Sequence, residues 1–212
     1  MTSLVAVLAH PRPDSFCAAL FAEVVGGAET AGAEVTRQDL YRDGFDPVLT
    51  ADESTAVTGS GRRVGVARDL LVERYQTQLL AADLLAVVHP NWWGKPPAIL
   101  SGWLDRVLAP EVAYKLDGGA AGMPQARLDL SALVVTTGDT DHVREAREFG
   151  DPLAAIWERC VLPYVGARHA ARVHISPVSA MTVDQRDAAL HDVAATTALL
   201  VHEPARLVSR AL

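Results

Sequence analysis

The chain has 212 residues, of which 50% are apolar, 21% charged and 6% aromatic, with a formal net charge of −7. That much apolar material encloses a sizeable core in a single domain and excludes intrinsic disorder, a collagen-like repeat and a disulfide scaffold. A diffuse acidic balance gives no electrostatic footprint for nucleic acid or anionic lipid. Cys17 and Cys160 lie far apart, with no C-x-x-C and no His/Cys cluster, so no structural zinc is expected and a reducing compartment is. No apolar run approaches the length of a membrane span and no basic leader precedes the first one. The expectation is a cytoplasmic protein without membrane insertion.

In chain order, the nearly unbroken apolar run from Leu4 to Ala9 predicts a strand covered on both faces, ending in the turn-rich HPRPDS. Ser15 is placed to cap a helix over 16–31, where Phe16, Leu20 and Val24 form an apolar stripe. A second strand over 34–40 leads into YRDGFDPVLT, a structured loop anchored by Tyr41 and Phe45. Residues 50–62, rich in Thr, Ser, Gly and Asp, read as an exposed connection, and Ala67, Leu71, Tyr75 and Leu79 predict a helix over 63–81. DLLAVVH (83–89) is a third buried strand, stopped by Pro90. Pro97 opens a helix to Leu108 with Leu100, Trp103, Leu104, Val107 and Leu108 on one side, and Asp105 and Arg106 as a surface or helix-end charge pair. Residues 115–130 are Gly-rich and irregular. SALVVT (131–136) is a fourth strand, 151–165 a helix carrying Cys160 on its core face, and 171–178 a fifth strand. Thr182 and Gln185 have capping-box spacing for a last helix to about 200. This alternation predicts an α/β doubly wound sheet of five parallel strands with right-handed crossovers.

In such a sheet, ligands settle beyond the carboxyl ends of the strands. Three unusual segments follow strand ends directly, HPRPDSF, HPNWWGKPP and TTGDTDHV, and all three converge on one crevice. The first enters a helix start, with unpaired amides and the positive end of a helix dipole beside Ser15, His10 and Arg12; it is either an anion site or an ordinary capped turn. Neither G-x-G-x-x-G nor a Walker-type G-K-[ST] is present, which disfavours NAD-type Rossmann binding and P-loop nucleotide hydrolysis. Adjacent Trp92 and Trp93 cannot both face the same core side. Either one walls a cleft suited to a flat heteroaromatic ring, or both cover the helix behind them. A planar anionic cofactor with a phosphate tail satisfies all three segments. A flavin fits, its reduced ring met by backbone amides and Thr hydroxyls. His142 is either a proton donor to a substrate carbonyl or a plain exposed histidine. G-x-S-x-G is absent, and Asp139 and Asp141 have too common a spacing to indicate a metal.

AHPRPDSF, DLYRDGFDPVL, HPNWWGKPPAILSGWLDRVLAPEVAY and FGDPLAAIWERCVLPYVGA together resemble the flavodoxin-like NAD(P)H:quinone oxidoreductase family. Its compact bacterial members, including the ancillary oxidoreductases of potassium-efflux systems, are the most similar. The resemblance runs through residues 4–178, and its most specific part is the Trp pair followed by PPAILSGWLDRV. It implies a flavodoxin-like sheet of strand order 2-1-3-4-5, non-covalent FMN or FAD, NAD(P)H as reductant, a small-molecule acceptor and a homodimer with its sites at the subunit interface. The implied reaction is a two-electron, ping-pong passage of hydride through flavin N5 to quinones or related electrophilic aromatics. The resemblance assigns His10, Ser15, Phe16 and Cys17 to the phosphate end. Pro90, Asn91, Trp92 and Trp93 fall to one side of the ring, and Thr136, Thr137, Gly138 and Asp139 to another. Tyr114 either closes the pocket from the neighbouring subunit or packs the interface; it and His142 are the candidates for the reacting end. Cys17 departs from the family's Asn, Ser101 from its Lys, and Asp139, Asp141 and His142 occupy the region where the animal enzymes carry an assisting Tyr and His. Two narrower readings stand beside this one: a regulatory flavoprotein subunit of a membrane transporter, and a reductase dedicated to one pathway of specialised metabolism.

Overall fold

The computed structural model describes residues 1–51, 53, 54, 69–115 and 125–212. Its main sheet contains β1 (Ser3–Leu8), β2 (Glu34–Asp39), β3 (Leu84–Pro90), β6 (Ser131–Thr137), β7 (Ala170–Ile175) and β8 (Arg210–Ala211). These stand in the order β2-β1-β3-β6-β7-β8, and every pair is parallel. The five predicted strands thus take the expected order. The expected count is corrected by β8, a sixth strand paired to β7 through Val173↔Arg210 and His174↔Ala211. Two residues carry no periodic signal, so β8 has no mark in the sequence. A separate antiparallel ribbon joins β4 (Tyr114–Lys115) to β5 (Gln125–Ala126).

All seven residues of β3 and of β6 are buried, because both faces of the sheet are covered. On one face Val5, Val7, Val87 and Val134 pack with α2 (Leu70–Leu80), α3 (Ala98–Val107) and Trp157. On the other, Leu4, Leu8, Val88, Val135 and Val173 pack with α1 (Phe16–Thr30) and α7 (Val183–His202). Period-two alternation along each strand divides the side chains between the two cores. The anticipated caps are present. Ser15 Oγ accepts from the Ala18 amide, and Thr182 with Gln185 completes a capping box.

Four local expectations change. The helix expected over 63–81 is described from its Asp69 cap, with residues 63–68 outside the described residues. The helix expected over 151–165 is α5 (Pro152–Ala154), a π-helical turn (Ala155–Val161) and α6 (Leu162–Val165). Pro163 lacks the amide an uninterrupted α-helix would use there, and in the altered register Cys160 is exposed rather than in the core. Arg106 is buried rather than half of a surface pair. Its Nη2 lies 2.9 Å from both Glu53 and Asp69, which neutralise it inside the loop packed on α3. TTGDTDHV is not all loop, since Asp141 caps α4 (His142–Arg144), which continues as a π-helical turn over Glu145–Phe149. Among the described residues no helix is long and apolar enough to cross a membrane.

Candidate flavin and acceptor site

The carboxyl ends of β1, β3 and β6 open onto two adjoining hollows. The first, of about 550 Å³, is lined by the loop after β1 and the first turn of α1, by Pro90, Asn91 and Trp92, and by Thr137 to Thr140. Arg12 and Asp14 pair through two bonds of 3.0 Å at its rim. Arg186 also lines it, with no carboxylate partner among the described residues. Its guanidinium lies 5.5 Å over the Phe16 ring and donates to the Val178 carbonyl at 2.9 Å. The capping hydroxyl of Ser15 spends a lone pair on Ala18, which leaves its own proton for a ligand.

Burial and the neighbouring Arg12 charge hold the His10 imidazole below the usual histidine value, and its Nδ1 accepts the Arg12 amide at 3.1 Å. His10 is therefore a neutral ring with its proton on Nε2, tilted against Trp92 at 5.9 Å. Cys17 is neutral as well. Burial pushes its thiol up to about 11 against the opposing hydrogen bond with Thr137 Oγ1 at 3.1 Å. A thiolate would repel an anion here; the thiol does not.

The second hollow, of about 560 Å³, is lined by Asn91, Trp93, Gly94, Gly138 to Thr140, Glu145, Phe149 and Pro152. It exists because Trp92 to Lys95 closes a two-residue turn, with amide–carbonyl bonds of 3.3 Å in both directions and positive φ at Trp93 (61°) and Gly94 (71°). Positive φ is ordinary for Gly94 and strained for a tryptophan. The turn sends the two indoles apart: Trp92 borders the first hollow, and Trp93, 97% exposed, stands at the mouth of the second. Asn91 fixes the turn from behind, its Oδ1 accepting from Gly94 at 2.9 Å and its Nδ2 donating to Glu145 at 3.0 Å.

Thr136 and Thr137 separate. Neighbouring strand residues face opposite sides, so Thr137 reaches Cys17 and the first hollow while Thr136 is buried away from it. Thr136 Oγ1 accepts from Arg172 at 3.4 Å and is hydrogen-bonded to His174 Nδ1 at 2.9 Å. Arg172 is in turn paired with Asp151 and with Glu158. Burial, then the Arg172 charge, lowers His174 to about 4. Burial likewise lowers His89 to about 4, where its Nε2 accepts the Trp157 indole proton at 2.9 Å. Asp139 lines both hollows and accepts the Ser179 amide at 2.8 Å.

Neither hollow is lined by His142 or Tyr114 among the described residues. His142 is half exposed beside Asp141, and Tyr114 packs edge-on against Tyr164 at 5.1 Å. Sequence reasoning missed Arg186, Glu145 and Phe149. The first sits in the opening turn of a helix whose sequence signals only a cap, and the other two follow a loop whose helical turn was not foreseen. Among the described residues no group of three or more His, Cys, Asp or Glu could hold a metal ion.

The family model described as a flavodoxin-like fold matches residues 2–198. The chain belongs to this family. The chain is 36% identical to an uncharacterized NAD(P)H oxidoreductase of Escherichia coli over 51% of its own length and 53% of that protein. It is 33% identical to the ribosyldihydronicotinamide dehydrogenase [quinone] of Pongo abelii over 63% of its length and 62% of that protein. The matched segments thus span between about half and two thirds of these relatives. An NAD(P)H:quinone oxidoreductase of Methanothermobacter marburgensis shares the fold, with a TM-score of 0.79 over 93% of this chain and 98% of its own at 23% identity.

Proposed function

We propose that this chain is a flavin-dependent NAD(P)H oxidoreductase that reduces quinones or related electrophilic aromatics by two electrons. The observation that carries the reading is the pair of hollows across the carboxyl ends of β1, β3 and β6, one with cationic side chains and a helix start, the other with aromatic walls. Both volumes lie in the range of ligand sites, about 300–1,000 Å³. The relatives' names supply the reductant and the acceptor class.

The donor set fits the phosphate and sugar part common to FMN and FAD. Arg186, the Ser15 hydroxyl and the opening amides of α1 would hold the phosphate beside neutral His10 and Cys17. Asn91, Trp92, Thr137, Gly138 and Asp139, on the wall of the first hollow, would border the ring, with Trp93 at its edge toward the second. When bound, the flavin would supply two-electron hydride chemistry at N5 for the dihydronicotinamide and the acceptor in alternation. The chain's own part is to hold, orient and exclude water. Trp92 and Trp93 border the two compartments, and Asn91, tied to Glu145 and Gly94, keeps the turn from opening. In this proposal the working unit is a homodimer, and His142 and Tyr114, which line neither hollow of one chain, reach the acceptor across its interface, His142 as the proton donor to the acceptor carbonyl.

Mass spectrometry of the extracted cofactor, followed by NAD(P)H oxidation assays with a naphthoquinone, tests the proposal. FMN or FAD with quinone-dependent turnover is expected. A colourless protein that takes up neither flavin and oxidises no NAD(P)H sinks the reading.

A further inference from the structure

The two hollows share Asn91, Gly138, Asp139 and Thr140 but differ in charge. The first has Arg12 and Arg186 on its wall, against Asp14 and Asp139. The second has two carboxylates, Asp139 and Glu145, and no Lys, Arg or His among its described lining residues. Glu145 does not lie on the surface. It is 5% exposed, held in the π-helical turn by its amide to the Asp141 carbonyl at 2.8 Å, with one carboxylate oxygen on Asn91. Phe149, four residues on, lines the same hollow, and Pro152 packs onto Gly94, where a Cβ would come within 3.0 Å of the proline ring. The negative charge therefore sits among apolar walls, where water screens it least.

Resting on the oxidoreductase reading and deepening it, we propose that Glu145 sets the charge selectivity of the acceptor. The second hollow takes neutral or cationic aromatic acceptors and excludes anionic ones. A sulfonate or carboxylate on the acceptor ring would have to leave water and lie beside Glu145 and Asp139 with no cation on the lining to meet it. Juxtaposed like charges at an interface of this kind discriminate strongly. A neutral ring incurs no such cost and keeps its stacking on Trp93 and Phe149.

The test uses the flavin-loaded protein with a naphthoquinone and its ring-sulfonated analogue. Equilibrium dissociation constants are measured by quenching of tryptophan fluorescence, and kcat/KM by NAD(P)H oxidation. The neutral quinone is expected to bind about tenfold tighter or more. That ratio should narrow in Glu145→Gln, which keeps a carbonyl oxygen for Asn91, and in Thr140→Lys, which puts a cation on the same lining. Comparing ratios between the proteins removes the difference in reduction potential between the quinones. Equal binding of the two quinones, binding of neither, or a ratio that neither substitution moves overturns the inference. If Glu145→Gln does not fold, Thr140→Lys decides. Absence of turnover with selective binding intact would refute the proposed reaction and leave the selectivity standing.

Discussion

Replacing Trp93 with glycine should make the protein more stable and a poorer catalyst. Trp93 sits at φ 61° with its indole 97% exposed, so within one chain the side chain contributes almost no burial to offset its backbone strain. Left-handed backbone costs a non-glycine residue about 1–2 kcal/mol. Glycine relieves that strain but gives the unfolded chain more freedom, worth about 0.4–1 kcal/mol in the opposite direction. The balance is a gain of about 0.5–1 kcal/mol, or a rise of about 1–4 °C in Tm for a chain of this length. Thermal unfolding of the parent and Trp93→Gly proteins measures this directly, and steady-state kinetics should show a raised KM for the acceptor. Strain kept at a turn with no fold-stabilising return is the pattern expected where a side chain serves a ligand. A fall in Tm of more than about 2 °C would show that the indole makes stabilising contacts and would refute the reasoning. An unchanged KM would remove Trp93 from the site.

Gly102→Ala should lower stability by about 3 kcal/mol in denaturant unfolding, since the added Cβ would come within 2.1 Å of the Pro47 carbonyl oxygen, a backbone atom with nowhere to go; a loss under about 1 kcal/mol would mean that the loop yields. His89 and His174 are held near 4 when folded against an ordinary 6.5, so between those values the unfolded chain binds more protons. Stability should therefore fall as pH drops from about 6.5 toward 4, and the slope should flatten in His89→Gln; an unchanged slope in that variant rules out the buried imidazole as its source. With a thiol-reactive dye near neutral pH, one thiol should react rapidly in the native protein, Cys160, and two after denaturation, because Cys17 is buried with its thiol pushed up to about 11. Rapid native labelling of both would mean that the floor of the first hollow opens.

The central strands were readable because burial on both faces demands continuous apolar runs, and Leu4 to Ala9 and 83–89 have them. The caps were readable because an orphan amide needs a side-chain oxygen close in sequence, as at Ser15 and Thr182. What escaped depended on distant partners. Arg106 reads as a surface charge until Glu53 and Asp69 fold around it, 53 and 37 residues away. Arg186 reads as part of a helix start until α7 lies beside α1. Thr136 could have been separated from Thr137 by strand periodicity alone, but the buried Arg172 and His174 that claim it come from the next strand. Glu145 and Phe149 escaped because an Asp cap in a polar loop gave no apolar stripe to follow.

The turn from Trp92 to Lys95 is closed by its own two hydrogen bonds and braced by Asn91, so its tip does not depend on what Trp93 carries. A lineage can therefore exchange the residue at that tip, or an engineer can randomise it, without renegotiating the sheet beneath. Position 93 is where a new acceptor repertoire would be cheapest to explore, and any residue there that accepts positive φ more readily than tryptophan would bring some thermal robustness with it.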